Sequence, residues 1–173
     1  MRLALHNLVA NHPKLLGHPT DYARFGALAL QRAWHNSPVK ADVDHEGSGD
    51  VEAQIEWLLQ SLDLLGVADP KRITEDGAEA VALCYVNAKA GWVVKRRLRQ
   101  GEFADWLLVQ HGGGKGSLAL EISGTAEGDV RERLVVKRRQ VGGCTLPVDE
   151  RWAVVVGFTV PAIAAGTAAG ATP

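Results

Sequence analysis

The sequence predicts an α/β fold whose better-patterned part runs α-β-β-β-α-β over residues 74–160. Three observations carry that expectation. Strand-like runs at 92–98, 104–109 and 118–123 follow one another across short turns. A capped helical segment with an apolar face lies before them and a capped basic one after. The last run, 152–160, is apolar on both faces, as in a strand covered on both sides. With 173 residues, 46% hydrophobic and 23% charged, a single domain over 1–173 is expected, large enough to bury a core without disulfide or metal staples.

Residues 1–70 read as an N-terminal extension carrying two extra helices. Asp21 is placed to cap the first, running to about Asn36 with Tyr22, Phe25, Leu28 and Trp34 as apolar positions and Pro38 as its stop. Residues 39–43 alternate briefly and suggest a strand. Asp50 then reads as the cap of the second helix. Ile55, Leu58, Leu59, Leu62 and Leu65 recur at helical spacing there, and Gly66 ends it. This stripe would suit a protein partner or, more simply, the chain's own core.

In the core, Thr74 reads as a cap, with Glu75 and Asp76 in the first turn at the positive end of the helix dipole. Ala78, Val81, Ala82, Tyr85 and Val86 supply the apolar face and Gly91 the stop. Gln100-Gly101 and 111–116 make the turns between the next strands. Asp129 caps a basic helix to about Val141, closed by Gly142-Gly143. The Ala/Gly/Thr-rich tail, 162–173, is expected to fray.

Asp105 and Glu121 stand inside otherwise apolar strand runs, where an unpartnered charge is expensive. Alternation puts Glu121 on one face with Ala119 and Ser123, and Asp105 with Leu107 and Val109. If the two strands pair through the 111–116 turn, the carboxylates approach each other and repel unless a cation lies between them. Oxygen-only ligands favour Mg²⁺ or Mn²⁺. The alternative is a pair of solvent-facing acids, or acids neutralised by nearby arginines.

With these residues in this order, the chain resembles the PD-(D/E)XK, or restriction-endonuclease-like, nuclease superfamily. The resemblance implies a mixed central sheet, an Asp on the second core strand (Asp105) and a Glu-x-Lys on the third (Glu121). It also implies an acid at the start of the first core helix, which Glu75 matches. Lys137 and Gln140 fit the Lys/Gln positions of the second core helix. Ser123 stands where the third-strand lysine is expected, leaving Lys137 to supply the ammonium. Residues 74–78 and 120–124 look like those of divergent bacterial proteins of unassigned role.

Between 95 and 139 there are ten Lys/Arg against six Asp/Glu, while the whole chain carries a net charge of −1. The excess lies on the strand before the acids and the helix after them. Arg96, Arg97, Arg131 and Arg138 are accordingly candidate phosphate contacts. The same residues would equally form a solvated basic face.

Other signals are set aside. The 111–117 segment fails the phosphate-loop spacing and precedes a strand rather than a helix. Asp42, Asp44, His45 and Glu46 read as a solvated acidic loop. His6, His12 and His18 lack metal-ligand spacing. Cys84 and Cys144 are too few for a disulfide framework, which fits a reducing compartment. No apolar run is long enough for a membrane span and no signal-peptide pattern opens the chain, so a cytoplasmic protein is expected. Three functions follow: a Mg²⁺- or Mn²⁺-dependent nuclease acting on DNA or RNA in defence or repair, a catalytically silent nuclease-fold subunit for nucleic-acid binding or assembly, and an interaction module.

Overall fold

A computed structural model describes residues 1–15, 19–46, 50–61, 63, 68–114 and 116–169. Among the described residues, eight strands form one mixed sheet. In chain order they are β1 (Arg2–Ala4), β2 (Val39–His45), β3 (Asp50–Glu56), β4 (Trp92–Arg97), β5 (Trp106–Gln110), β6 (Ser117–Thr125), β7 (Glu150–Gly157) and β8 (Ala162–Thr167). The helices are the one-turn α1 (Leu8–Asn11), α2 (Pro19–Arg32), α3 (Pro70–Ala90) and α4 (Val130–Gly142). Across the sheet the order is β1-β3-β2-β8-β7-β6-β5-β4. The β4-β5-β6 meander is antiparallel, and β6 to β7 is parallel with α4 as the crossover.

The observed order α3-β4-β5-β6-α4-β7 matches the α-β-β-β-α-β expectation. Strand alternation sorts the two helical layers. Leu118, Leu120, Ile122, Val154 and Val156 pack with α3 in the larger core. Ala119, Ala153, Val155 and Ala164 face the opposite way and pack with Leu134 and Val141 of α4. Helix α2 lies against α3, where Gly77 has Cα of Gly26 close enough that an added Cβ would stand 3.1 Å from it.

Three expectations are corrected. The second N-terminal helix is instead β3, paired antiparallel with β2. Val51, Ala53, Ile55 and Trp57 alternate, and Ala53, Ile55 and Trp57 are buried while Leu58 and Leu59 are exposed. A period of two thus governs the segment. The apolar stripe proposed for a partner does not form over Ile55–Leu59, and Leu62 and Leu65 lie outside the described residues.

The tail is not frayed through 162–167. It forms β8, which hydrogen-bonds to β7 on one side and β2 on the other and so joins the two halves of the sheet. Small residues allow this, since Ala164 and Ala165 are fully buried between the helical layers. The acidic 42–46 stretch is no loop either. Most of it belongs to β2, where His45 is buried against Tyr85 and Trp152.

Smaller shifts have local causes. Helix α2 ends at Arg32 because Trp34 takes φ 65° and His35 N–H returns to Leu30 O, a Schellman-type closure. Trp34 is therefore exposed rather than an apolar helix position. Helix α3 begins at Pro70, with Asp69 rather than Thr74 capping it by accepting from Lys71 N–H at 2.9 Å. Asp129 caps α4 and Gly91, at φ 70°, closes α3, both as expected.

Candidate active site

Asp105 sits one residue before β5, still bonded to the neighbouring strand through its N–H to Leu120 O at 3.0 Å. Leu107 pairs with Ala119 in the antiparallel ladder, so Asp105 and Glu121 lie on the same face, the one covered by α4. The carboxylate of Asp105 accepts from Ile122 N–H at 2.8 Å, which fixes it over β6. Helical spacing does the rest. Arg133, Lys137 and Gln140 come from one side of α4. Lys137 Nζ donates to Glu121 Oε1 at 2.6 Å and to Gln140 Oε1 at 3.1 Å, and Arg133 Nε donates to Ser123 Oγ at 2.7 Å.

Burial raises the proton affinity of Glu121 and the neighbouring negative charge of Asp105 raises it further, against the attraction of Lys137. Burial also raises Asp105, opposed by the Ile122 N–H and the Lys137 charge. Glu121 is 2% exposed, and its Oε2 has no hydrogen-bond donor. The adjacent Asp105 is itself an acceptor when ionised. With Lys137 supplying one positive charge to two carboxylates, the buried pair favours a shared proton, held on Glu121, or a further cation.

Four of the expected residues thus meet, Asp105, Glu121, Lys137 and Gln140, while Ser123 shares the face of Glu121 on β6 and bonds Arg133. Glu75 does not join them through any described contact. It is exposed and pairs with Lys71 at 3.7 Å. One turn along α3, Glu79 is buried and does reach the neighbourhood, though from the other face of the sheet. It accepts from Trp106 Nε1 at 3.1 Å and from Arg97 Nη2 at 2.9 Å. Burial lifts its carboxyl to about 7, outweighing the pull of Arg97, with the Asp105 charge adding to the rise. A glutamate between Ala78 and Ala80 in an apolar helix carries the same signal that singled out Asp105.

The four arginines read as phosphate contacts all have carboxylate partners. Arg96 makes a bidentate pair with Glu102 at 3.0 and 2.9 Å. Arg97 holds Glu79 and stacks 5.0 Å from the Trp106 ring centroid. Arg131 pairs with Asp44 at 2.6 Å, and Arg138 with Glu46. Exposed Arg99 has no ion pair among the described residues and lines the cleft above the two acids. That cleft, ≈ 280 Å³, is bounded by the β4–β5 connection, Asp105, Glu121 and Gln140.

No known family model, curated protein or solved structure matches this chain. The site is therefore judged on its own chemistry. Among the described residues no three His, Cys, Asp or Glu side chains converge as a metal cluster. Two carboxylates with one buried oxygen lacking a donor still form a ligand set suited to a hard cation that keeps several waters. No helix among the described residues is long and apolar enough to cross a membrane.

Proposed function

We propose that the chain is a restriction-endonuclease-like, divalent-metal-dependent phosphodiesterase acting on DNA or RNA. The observation that carries this reading is the buried Asp105–Glu121 pair, with Glu121 Oε2 lacking a donor, at the floor of an open cleft. The α3-β4-β5-β6-α4-β7 order around the pair supports the fold part of the proposal.

Asp105 and Glu121 would hold Mg²⁺ or Mn²⁺, which when bound activates water and polarises a phosphoryl oxygen. Around it the chain's own residues have separate tasks. Lys137 carries the ammonium within reach of the site and is oriented by Gln140. Arg99 faces the open cleft as a phosphate contact. Ser123 holds Arg133 and, lacking a charge, leaves the ammonium role to Lys137.

A second reading, a silent nuclease-fold subunit, has one specific observation in its favour: Lys137 already neutralises Glu121 Oε1 at 2.6 Å. Incubation of plasmid, single-stranded DNA and RNA with Mn²⁺ separates the two. The proposal expects cleavage by wild type and at least a hundredfold loss, about 2.7 kcal/mol, in Asp105→Ala and Glu121→Ala. Cleavage unchanged by both substitutions sinks the site, and salt-sensitive binding without cleavage selects the silent subunit.

A further inference from the structure

Phe103 departs from normal protein architecture twice. Its φ is 58°, a conformation phenylalanine rarely adopts, and the residue is 52% exposed. Strain of this kind is ordinarily offset by packing, yet here the ring has only a partial seat. It lies against Gly143 at the C-terminal end of α4, where an added Cβ would stand 3.8 Å from Phe103 Cγ.

The surrounding connection imposes the conformation. Leu98 N–H bonds Asp105 O at 2.8 Å, closing the base of the 98–105 hairpin connection. Inside it Glu102 clasps Arg96 through both oxygens and accepts from Arg99 N–H, while Glu102 N–H returns to Arg99 O at 3.0 Å. These bonds hold the flanking backbone and leave Phe103 as the outward residue. The ring therefore projects from a braced loop, at the rim of the cleft that contains Asp105 and Glu121. Arg99 and Gln100 stand beside it on the same rim.

We propose that Phe103 is a stacking platform for an unpaired base, and that the substrate class is single-stranded nucleic acid. The inference rests on the phosphodiesterase reading for the position of the phosphate. An aromatic face accepts any base, and the neighbouring guanidinium of Arg99 takes the phosphate linking that base to the next. The ≈ 280 Å³ cleft suits one nucleotide unit, since it lies at the small end of ligand sites, and a base inside a duplex has both faces covered by its stacked neighbours.

The test is equilibrium binding of fluorescein-labelled oligonucleotides, followed by anisotropy in EDTA so that no cleavage intervenes. Single-stranded DNA, single-stranded RNA of the same sequence and blunt duplex are compared. Wild type should prefer a single strand over duplex. Phe103→Asn, whose side chain tolerates positive φ, should keep or raise the melting temperature yet lose about tenfold in single-strand affinity, as loss of one stacked base predicts. Phe103→Trp should retain the affinity, and duplex binding should be unchanged by either substitution.

Equal loss on duplex and single strand, no loss in Phe103→Asn, or no binding of either single strand would overturn the proposal. The outcomes are separable from those of the parent reading. Single-strand preference without metal-dependent cleavage keeps the platform and removes the phosphodiesterase. Cleavage of duplex alone, indifferent to Phe103, does the reverse.

Discussion

Lys137 and Glu121 meet at 2.6 Å with the carboxylate almost wholly buried. Removing the ammonium leaves a charge that must either stay unpaired or take up a proton. Lys137→Met should therefore destabilise the fold by about 1–3 kcal/mol at pH 8 in urea denaturation, and by less at pH 6, where Glu121 can be protonated. Equal losses at both pH values would contradict the buried pair. Glu79 supplies a second pH dependence. Its folded carboxyl is raised from 4.5 to about 7, so the folded state holds a proton that the unfolded chain has released. The associated stability is complete below about pH 4.5 and disappears as pH rises through about 7. His12 acts in the opposite sense. Its Nε2 donates to Leu83 O and its Nδ1 accepts from Val94 N–H, and burial lowers it to about 4. The stability of neutral His12 is thus lost on acidification. Comparing wild type with Glu79→Gln isolates the glutamate: the wild type should lose on the order of 1–3 kcal/mol relative to the variant between pH 5 and 7.5. Parallel profiles would show that Glu79 ionises normally.

At the scale of elements, Gly124 sets how closely α3 lies on β6. A Cβ there would stand 2.4 Å from Thr74 O and 2.9 Å from Ala78 Cβ, so the helix would have to lift. Gly124→Ala should cost about 1–3 kcal/mol, read from the shift in denaturation midpoint, as overpacking against backbone rather than a movable side chain. These elements differ in how far they can be read from sequence. Capped by Asp129 and closed by Gly142-Gly143, the basic helix α4 is legible, and the period-two pairing of β5 with β6 places Asp105 opposite Glu121. Residues 50–56 are not legible as a strand. Ile55, Leu58 and Leu59 mimic a helical face, but the strand ends at Glu56 and Leu58 and Leu59 lie exposed beyond it. Strand β8 was hidden for a different reason. Its alanines and glycine have poor strand propensity, and burial between two helical layers overrides that preference. Within the site, Glu75 was the visible acid at a presumed helix start. With the start at Pro70, the acid of α3 whose charge is felt alongside Asp105 is Glu79, buried and bonded to Trp106.

For the whole molecule, β8 makes one structure of two sheet halves, with β2 on one side and β7 on the other. Ala164→Asp would place a charge at a fully buried position between β8 and α4. The expected outcome is loss of the cooperative unfolding transition in circular dichroism, for the N-terminal strands and the α-β-β-β-α-β unit together. Retained cooperativity would show that the halves do not depend on this seam. The same architecture brings the meander, α4 and the 98–105 connection around Asp105 and Glu121, with no direct role for β1–β3 in the cleft. Cation binding at that pair is the central claim, and thermal unfolding with titrated Mn²⁺ at pH 8 tests it most directly. Wild type should melt at progressively higher temperature as Mn²⁺ rises, with a smaller shift at pH 6 because protons compete for the carboxylates, and Glu121→Gln should not respond. An identical response from wild type and Glu121→Gln, or none from either, would contradict the account.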